Sequence, residues 1–427
     1  MPVIRKLSGL EILDSRGRPT VRATCELASG VIASASAPSG ASTGAAEAHE
    51  LRDGDLKRFG GLGCRKAVAS INGEINKSLS RDVNDQRALD DAIRKLDGTP
   101  NKSRLGANAI LATSLAFARA CSLERGVPLY QQFADLLGNK TPTLPRMTIN
   151  LFSGGKHAGG QVPIQDVLIV PAKAKTIDEG LAVTYAVYQS AAKLINEKYK
   201  MRLLRADEGG LAPPASSAEE LLADAVEAIR LAGLKPREDV AIAVDVASSH
   251  FYDNGRYQLN EQSLDSSGMI RTLGDWIAKY PIVSVEDGLS ENDWSNWPAL
   301  REAIGGKAIV VGDDFLCTNP DRIRRAIDAK AASALLLKVN QIGTVTESAD
   351  ACRLARTAGW NVTISARSGE TEDDWLADLA VGWSGDQIKV GSITQSERLA
   401  KYNRLLAIEA EAAFPVVTWP AKNSQAD

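Results

Sequence analysis

From about residue 145 onward, short apolar runs alternate with amphipathic helical stretches, and this pattern restricts the fold more than any other feature. The runs are 166–171, 241–246, 282–286, 308–313, 334–338, 361–365 and 387–390. A strand with one wet face alternates apolar and polar side chains. A strand that is apolar throughout is buried on both faces, the signature of a parallel sheet covered by helices. Helices fill the gaps, one of them opened by the capping box Ser217-Ala218-Glu219-Glu220. Seven or eight such units in about 280 residues favour a closed (β/α)8 barrel over an open doubly wound sheet. Neither Gly-x-Gly-x-x-Gly nor Gly-x4-Gly-Lys-Ser/Thr occurs, which argues against dinucleotide and P-loop folds.

The first part reads differently. Residues 19–37 alternate apolar and polar side chains on either side of Ala28-Ser29-Gly30, which predicts a β-hairpin. A small, flexible loop follows, Pro38-Ser39-Gly40-Ala41-Ser42-Thr43-Gly44, and then helical stretches near 63–79 and 105–126. Strands followed by helices predict an α+β domain. The expected organisation is an N-terminal α+β capping domain, residues 1–138, and a barrel domain, 139–427. The tail beyond about 413 is expected to fray.

Composition excludes some partners. A net charge of −3 gives no general attraction to nucleic acid or anionic membrane. The five cysteines (Cys25, Cys64, Cys121, Cys317, Cys352) are odd in number and scattered without zinc-ligand spacing. They read as reduced thiols used in packing. The N-terminus has no apolar signal core and no 18-residue apolar run occurs, so a soluble cytoplasmic protein is expected.

In a parallel barrel the chemistry collects at the C-terminal ends of the strands. Read in order, those ends are Asp245, Glu286, Asp313 with Asp314, Lys338, Arg367 with Ser368, and Lys389. Three successive strands ending in carboxylates precede three ending in cations. Aspartate also caps helices, but glutamate caps poorly, and each acid here directly ends an apolar run. An oxygen-only acidic set without Cys or His suits a hard cation, Mg²⁺ before Zn²⁺. A lysine can also snorkel to solvent. Yet Lys338, approached by Ala334-Leu335-Leu336-Leu337, is a candidate general base, because burial near a cation lowers a lysine's pKa. Two loops join the constellation. Ser153 to Gly160 carries His157, one of three histidines, in a glycine-rich setting. Asp207 and Glu208 precede a double glycine, where they gain no cap. Glu208 could act as an acid if burial or a carboxylate such as Asp166 raises its pKa.

These residues sit in longer signatures that resemble enolase along essentially the whole chain. The matching stretches include 11–21, 38–44, 50–55 and 105–111 in the first part. In the second they include 207–213, 245–252, 285–289, 312–314, 338–344, 367–373 and 396–403. The resemblance implies that Asp245, Glu286 and Asp313 hold a first Mg²⁺, and that Ser39 of the closing 38–44 loop recruits a second. It implies Lys338 as the base that takes the C2 proton of 2-phosphoglycerate, with Lys389 on the substrate carboxylate. Glu208 would help the C3 hydroxyl leave as water, Arg367 and Ser368 would grip the phosphate, and His157 would lie on a mobile loop above it. Gln165 and Asp166 occupy the family's Gln-Glu position. A lysine base beside a Mg²⁺-stabilised enediolate is the established description of enolase-superfamily sites. A homodimer is implied as well.

Four positions depart from the family pattern. Ala366 stands where histidine is usual, Asp166 where glutamate is, Lys156 where serine precedes the loop histidine, and Arg18 in place of asparagine near the family's dimer contact. The first two fall on the leaving-group side, so proton abstraction reads as intact and leaving-group assistance as altered. The expected activity is phosphopyruvate hydratase. One alternative is a paralogue acting on a related phosphoglycerate or phosphonate, like carboxyphosphonoenolpyruvate synthase, where Lys156 would suit an extra negative charge. A non-catalytic binding protein is the other, opposed by the retention of both lysines and all three carboxylates.

Overall fold

The computed structural model describes residues 2–41, 43–78, 85–200 and 202–419. Strands β1 (Ile4–Leu13), β2 (Pro19–Leu27) and β3 (Ile32–Ser36) form an antiparallel sheet in the order β1-β2-β3. The predicted hairpin is β2–β3, with Cys25 opposite Ala33. Its inner row, Val21, Ala23, Cys25 and Leu27, is sealed against the helix Ala107–Arg125. Sequence reading left out β1 because its pattern is weak: Ile4 and Leu7 are buried, while Leu10 and Leu13 face solvent. The helical stretch predicted at 63–79 runs from Arg65 to Ser78 with one wider π turn, Ile71–Ile75; Leu79 lies outside the described residues. Helices Gln86–Asp97 and Leu129–Leu137 complete this part.

Eight strands close the barrel: β4 (Arg146–Ser153), β5 (Asp166–Val170), β6 (Ala241–Asp245), β10 (Ile282–Glu286), β11 (Ile309–Gly312), β12 (Ala334–Leu337), β13 (Asn361–Ser365) and β14 (Gln387–Gly391). A small surface sheet, β7 (Tyr252–Asp253), β8 (Arg256–Leu259) and β9 (Gln262–Leu264), branches off after β6. The expectation of an all-parallel sheet is corrected at one strand, because β5 runs antiparallel to both β4 and β6. The cause is the connection. A parallel pair needs a crossover of a dozen or more residues, usually a helix, whereas residues 154–165 hold only the single turn Gly155–His157. The missing helix appears one step later, where Ile177–Tyr199 and Ala218–Leu231 both precede β6. The second of these starts as its capping box predicts, with Ser217 Oγ accepting from Glu220 N, although the Glu220 carboxylate reaches back to Ser216 N.

The chain end is also corrected. Leu144 N donates to Pro415 O and Val417 N to Leu144 O, and Trp419 packs with Leu168, Val170, Ala241 and Ala243. Residues 414–419 are therefore tied to the barrel; residues 420–427, the rest of the predicted frayed tail, lie outside the described residues. All five cysteines are buried and unpaired in the reduced form. Among the described residues no helix is long and apolar enough to cross a membrane.

Candidate active site

Reversal of β5 has a chemical consequence. Its first residue, Asp166, arrives at the end of the barrel where β6 and β10 finish, and Asp166 registers with Asp245, which registers with Glu286. The predicted residues His157, Gln165, Glu208, Asp245, Lys338, Arg367, Ser368 and Lys389 line one cavity of about 270 Å³ with Ser365 and Ala366. Asp166, Glu286 and Asp313 stand behind this lining, and all are buried. A wider cleft, about 1250 Å³, lies at the seam of β1, β3 and residues 370–374, and no predicted site residue lines it.

On one side, lysines and carboxylates interlock. Lys389 Nζ lies 2.8 Å from Asp245 Oδ2 and 2.8 and 2.9 Å from the Glu286 oxygens. Lys338 Nζ pairs with Asp313 Oδ2, whose other oxygen accepts from Gln341 Nε2 at 2.8 Å. Burial would lower Lys389, but Asp245 and Glu286 outweigh it and hold the ammonium charged. Asp245 stays ionised despite burial, down to about 2, chiefly through Lys389. Lys338 departs from expectation: burial does lower it, but Asp313 more than offsets that, and its pKa is raised.

Carboxylates and histidine face each other on the opposite side. His157 Nδ1 sits 2.9 Å from Asp166 Oδ2, and its Nε2 lies 3.8 Å from Glu208 Oε1. Ser153 Oγ donates to Asp166 Oδ1 at 2.6 Å, and Asn150 Nδ2 to Glu208 Oε2 at 3.0 Å. Burial alone would lower His157, but Asp166 and Glu208 raise it to about 9. A raised Glu208 does not result. Burial pushes it up, yet His157, Arg398, Lys389 and Lys338 prevail and its pKa is lowered. The shortened Asp166 thus pairs with the imidazole and the serine, with His157 standing between it and Glu208. The double glycine after Glu208 has a steric reason: Gly209 holds φ +84°, and a Cβ there would run into Thr394 Oγ1.

At the mouth, Arg367 Nη1 donates to Glu47 Oε2 at 2.9 Å and to Asn340 Oδ1 at 3.0 Å; Glu47 keeps it firmly protonated despite burial. Arg398 donates to the carbonyls of Arg367 and Ser368 at 2.7 and 2.6 Å, fixing this turn from below. Ser39 is only partly where it was expected. Its backbone pairs with Gly369, but its hydroxyl is held by Glu50 and Arg52 at 3.0 and 2.9 Å. Sequence reasoning passed over Asn150, Ser153, Glu47, Asn340, Gln341 and Arg398; the last three lie in the quoted stretches 338–344 and 396–403, which were their signal.

The acids can bind a cation, although the expected trio is not the most convergent. Among the described residues, ligand atoms approach within 4.8 Å of one another in His157–Asp166–Glu208 and in Asp287–Asp313–Asp314. Asp245, Glu286 and Asp313 are partitioned between the two lysines instead. Two features still fit that trio to a hard cation. One ammonium faces the carboxyls of both Asp245 and Glu286, and burial together with the Asp245 charge pushes Glu286 well above the usual carboxylate range, a repulsion that a further cation would relieve. Beside them Gln165 donates through Nε2 to Asp245, while its Oε1 is buried without a partner. Oxygen donors alone suit Mg²⁺.

The family model described as the N-terminal domain of enolase matches residues 4–133. The model for the enolase C-terminal TIM barrel domain matches residues 141–424. With the barrel, its reversed second strand and the acid–lysine end already in place, the chain belongs to the enolase family.

Proposed function

We propose that this protein is a Mg²⁺-dependent phosphopyruvate hydratase, a cytoplasmic homodimeric lyase that reversibly dehydrates 2-phosphoglycerate to phosphoenolpyruvate in glycolysis. The observation that carries this reading is the convergence of Lys338, Lys389, Arg367, Ser368 and Glu208 on one cavity backed by buried carboxylates. Asp245, Glu286 and Asp313 would hold one Mg²⁺; a second would need Ser39 to turn from Glu50 and Arg52. Bound there, Mg²⁺ supplies positive charge opposite the substrate carboxylate and so acidifies the adjoining C–H. With Asp313 committed to a cation, burial and the like charges of Arg367 and Lys389 favour the neutral amine of Lys338. The neutral amine is the form that removes the C2 proton. Lys389 neutralises the substrate carboxylate, and Arg367 with Ser368 binds the phosphate. On the opposite side, His157 holds a proton between Asp166 and Glu208, and Glu208 passes it to the departing C3 hydroxyl.

Incubation with 2-phosphoglycerate and Mg²⁺, followed by the ultraviolet absorbance of phosphoenolpyruvate, tests this directly; turnover is expected. One observation favours a second reading. Ala366 leaves its own stretch of the cavity wall without an imidazole, and Lys156 is exposed on the loop that carries His157, which suits a phosphonate or related phosphoglycerate carrying more negative charge. That paralogue would exchange the C2 proton with deuterium without forming phosphoenolpyruvate. Absence of both exchange and turnover would leave only a binding role.

A further inference from the structure

Two turns from different parts of the chain meet over the cavity: residues 38–41, after β3, and residues 367–369, after β13. Ser39 and Gly369 exchange backbone hydrogen bonds of 2.8 and 2.9 Å. Ala41 N donates to Ser368 Oγ at 2.7 Å. Both turns close on a third, the β1–β2 connection, and on one side chain within it. Arg16 Nη1 donates to Ser368 Oγ at 3.1 Å, while Nη2 donates to Ser39 O at 3.1 Å and Gly40 O at 3.5 Å. Asp14, 3.2 Å from Nη2, orients the fork, and Ser15 ties the same connection to residue 370 through Ser15 N and Glu370 O at 2.7 Å.

The packing around this fork is tight. The Arg16 side chain is 6% exposed, and a Cβ on Gly369 would strike Asp14 Oδ2, Arg16 Nη2 and Ser39 O. Arg16 Nε is buried without a partner, and an unsatisfied buried donor costs stability. A planar guanidinium spans several acceptors in fixed directions, which a lysine ammonium cannot do.

We propose that Arg16 is a positioning residue that latches the 38–41 turn to the Arg367–Gly369 turn, holding Ser368 Oγ and the loop backbone in place for the substrate's phosphate. The proposal rests on the reading of Arg367 and Ser368 as the anion grip, but the latch has a readout of its own. In Arg16→Met, amide hydrogen exchange at Ser39, Ala41 and Gly369 is expected to quicken about tenfold or more, while the β1–β2 ladder amides keep their wild-type rates. The KM for 2-phosphoglycerate is expected to rise about tenfold with kcat changed far less, the pattern of lost binding rather than lost chemistry. Arg16→Lys should restore part of both. Wild-type exchange at the three amides in Arg16→Met overturns the latch, and so does equal quickening across the β1–β2 ladder, which would mean a loosened domain. Should Arg16→Met fail to fold, Ser368→Ala removes the shared hydroxyl without exposing Asp14, and unchanged exchange at Ala41 would overturn the proposal there too. If the wild-type protein does not turn over 2-phosphoglycerate, the exchange result still decides the latch, and the failure belongs to the proposed reaction.

Discussion

The two sides of the cavity are built by different means. Asp245, Glu286 and Lys389 lie on barrel strands, and Asp313 and Lys338 one residue beyond strand ends. Their positions follow from the hydrogen-bonded register that sets Asp245 beside Glu286. The opposite side is assembled from a glycine-rich loop (His157), a glycine turn (Glu208), the residue after β13 (Ala366) and the first residue of the reversed strand (Asp166). Three of the four departures from the family pattern, Ala366, Asp166 and Lys156, fall on this second side or at its margin, while Arg18 lies apart in the β1–β2 connection. The contrast suggests a division of labour, with the strands placing charge for proton abstraction and the loops tuning how a proton reaches the leaving group.

The largest expected effect breaks the strand side. Lys338→Ala should reduce turnover about a thousandfold or more, the upper range for a positioned base. It should also abolish exchange of the C2 proton with deuterium, read by NMR. Persisting exchange would remove Lys338 from the base role.

Glu208→Gln sharpens the comparison from the other side. It keeps the amide partner Asn150 in reach and removes the proton-passing carboxylate. Formation of phosphoenolpyruvate should fall about a hundredfold or more, while C2 exchange continues. A parallel loss of both would show that the two sides do not act separately.

How legible each side was in the sequence follows the same division. A strand end is marked by an apolar run stopping at a charge, and that mark points to Asp245, Glu286, Asp313, Lys338 and Lys389. The antiparallel course of β5 was hidden because an apolar run carries no direction, and β4 was missed because Arg146, Asn150 and Ser153 interrupt its pattern although all are buried. Loop residues carry no period at all. His157 and Glu208 stood out through glycines and family signatures, whereas Asn150 and Ser153, which hold Glu208 and Asp166, left no local signal. The directions of the Lys338 and Glu208 pKa shifts were likewise out of reach, since each depends on which charge from a distant strand comes to lie nearest.

A smaller effect reads the His157 pairing through stability. Burial lowers His157, but Asp166 and Glu208 hold it up at about 9, above the imidazole's ordinary 6.5. A folded pKa above the unfolded one adds stability that is fully present below about pH 6.5 and lost as pH rises through about 9. The amount at stake is on the order of 3 kcal/mol. The thermal midpoint of the wild-type protein should therefore fall across that window, and His157→Asn should flatten the fall. Equal slopes in both proteins would mean that the imidazole carries no proton between the two carboxylates.

Ala366→His carries the smallest expected change and bears most directly on the substrate. The Ala366 backbone is fixed by its N–H to Lys389 O at 2.8 Å, and the residue, 6% exposed, lines the cavity with His157 and Glu208, so an added imidazole would share that wall with them. If 2-phosphoglycerate is the substrate, kcat for dehydration should rise about tenfold, a fraction of full acid–base assistance, with C2 exchange unchanged. The strand side makes no contribution to that gain, so exchange serves as an internal control. A fall in kcat, with the C2 exchange still intact, would instead mean that the space beside Ala366 belongs to part of a different substrate.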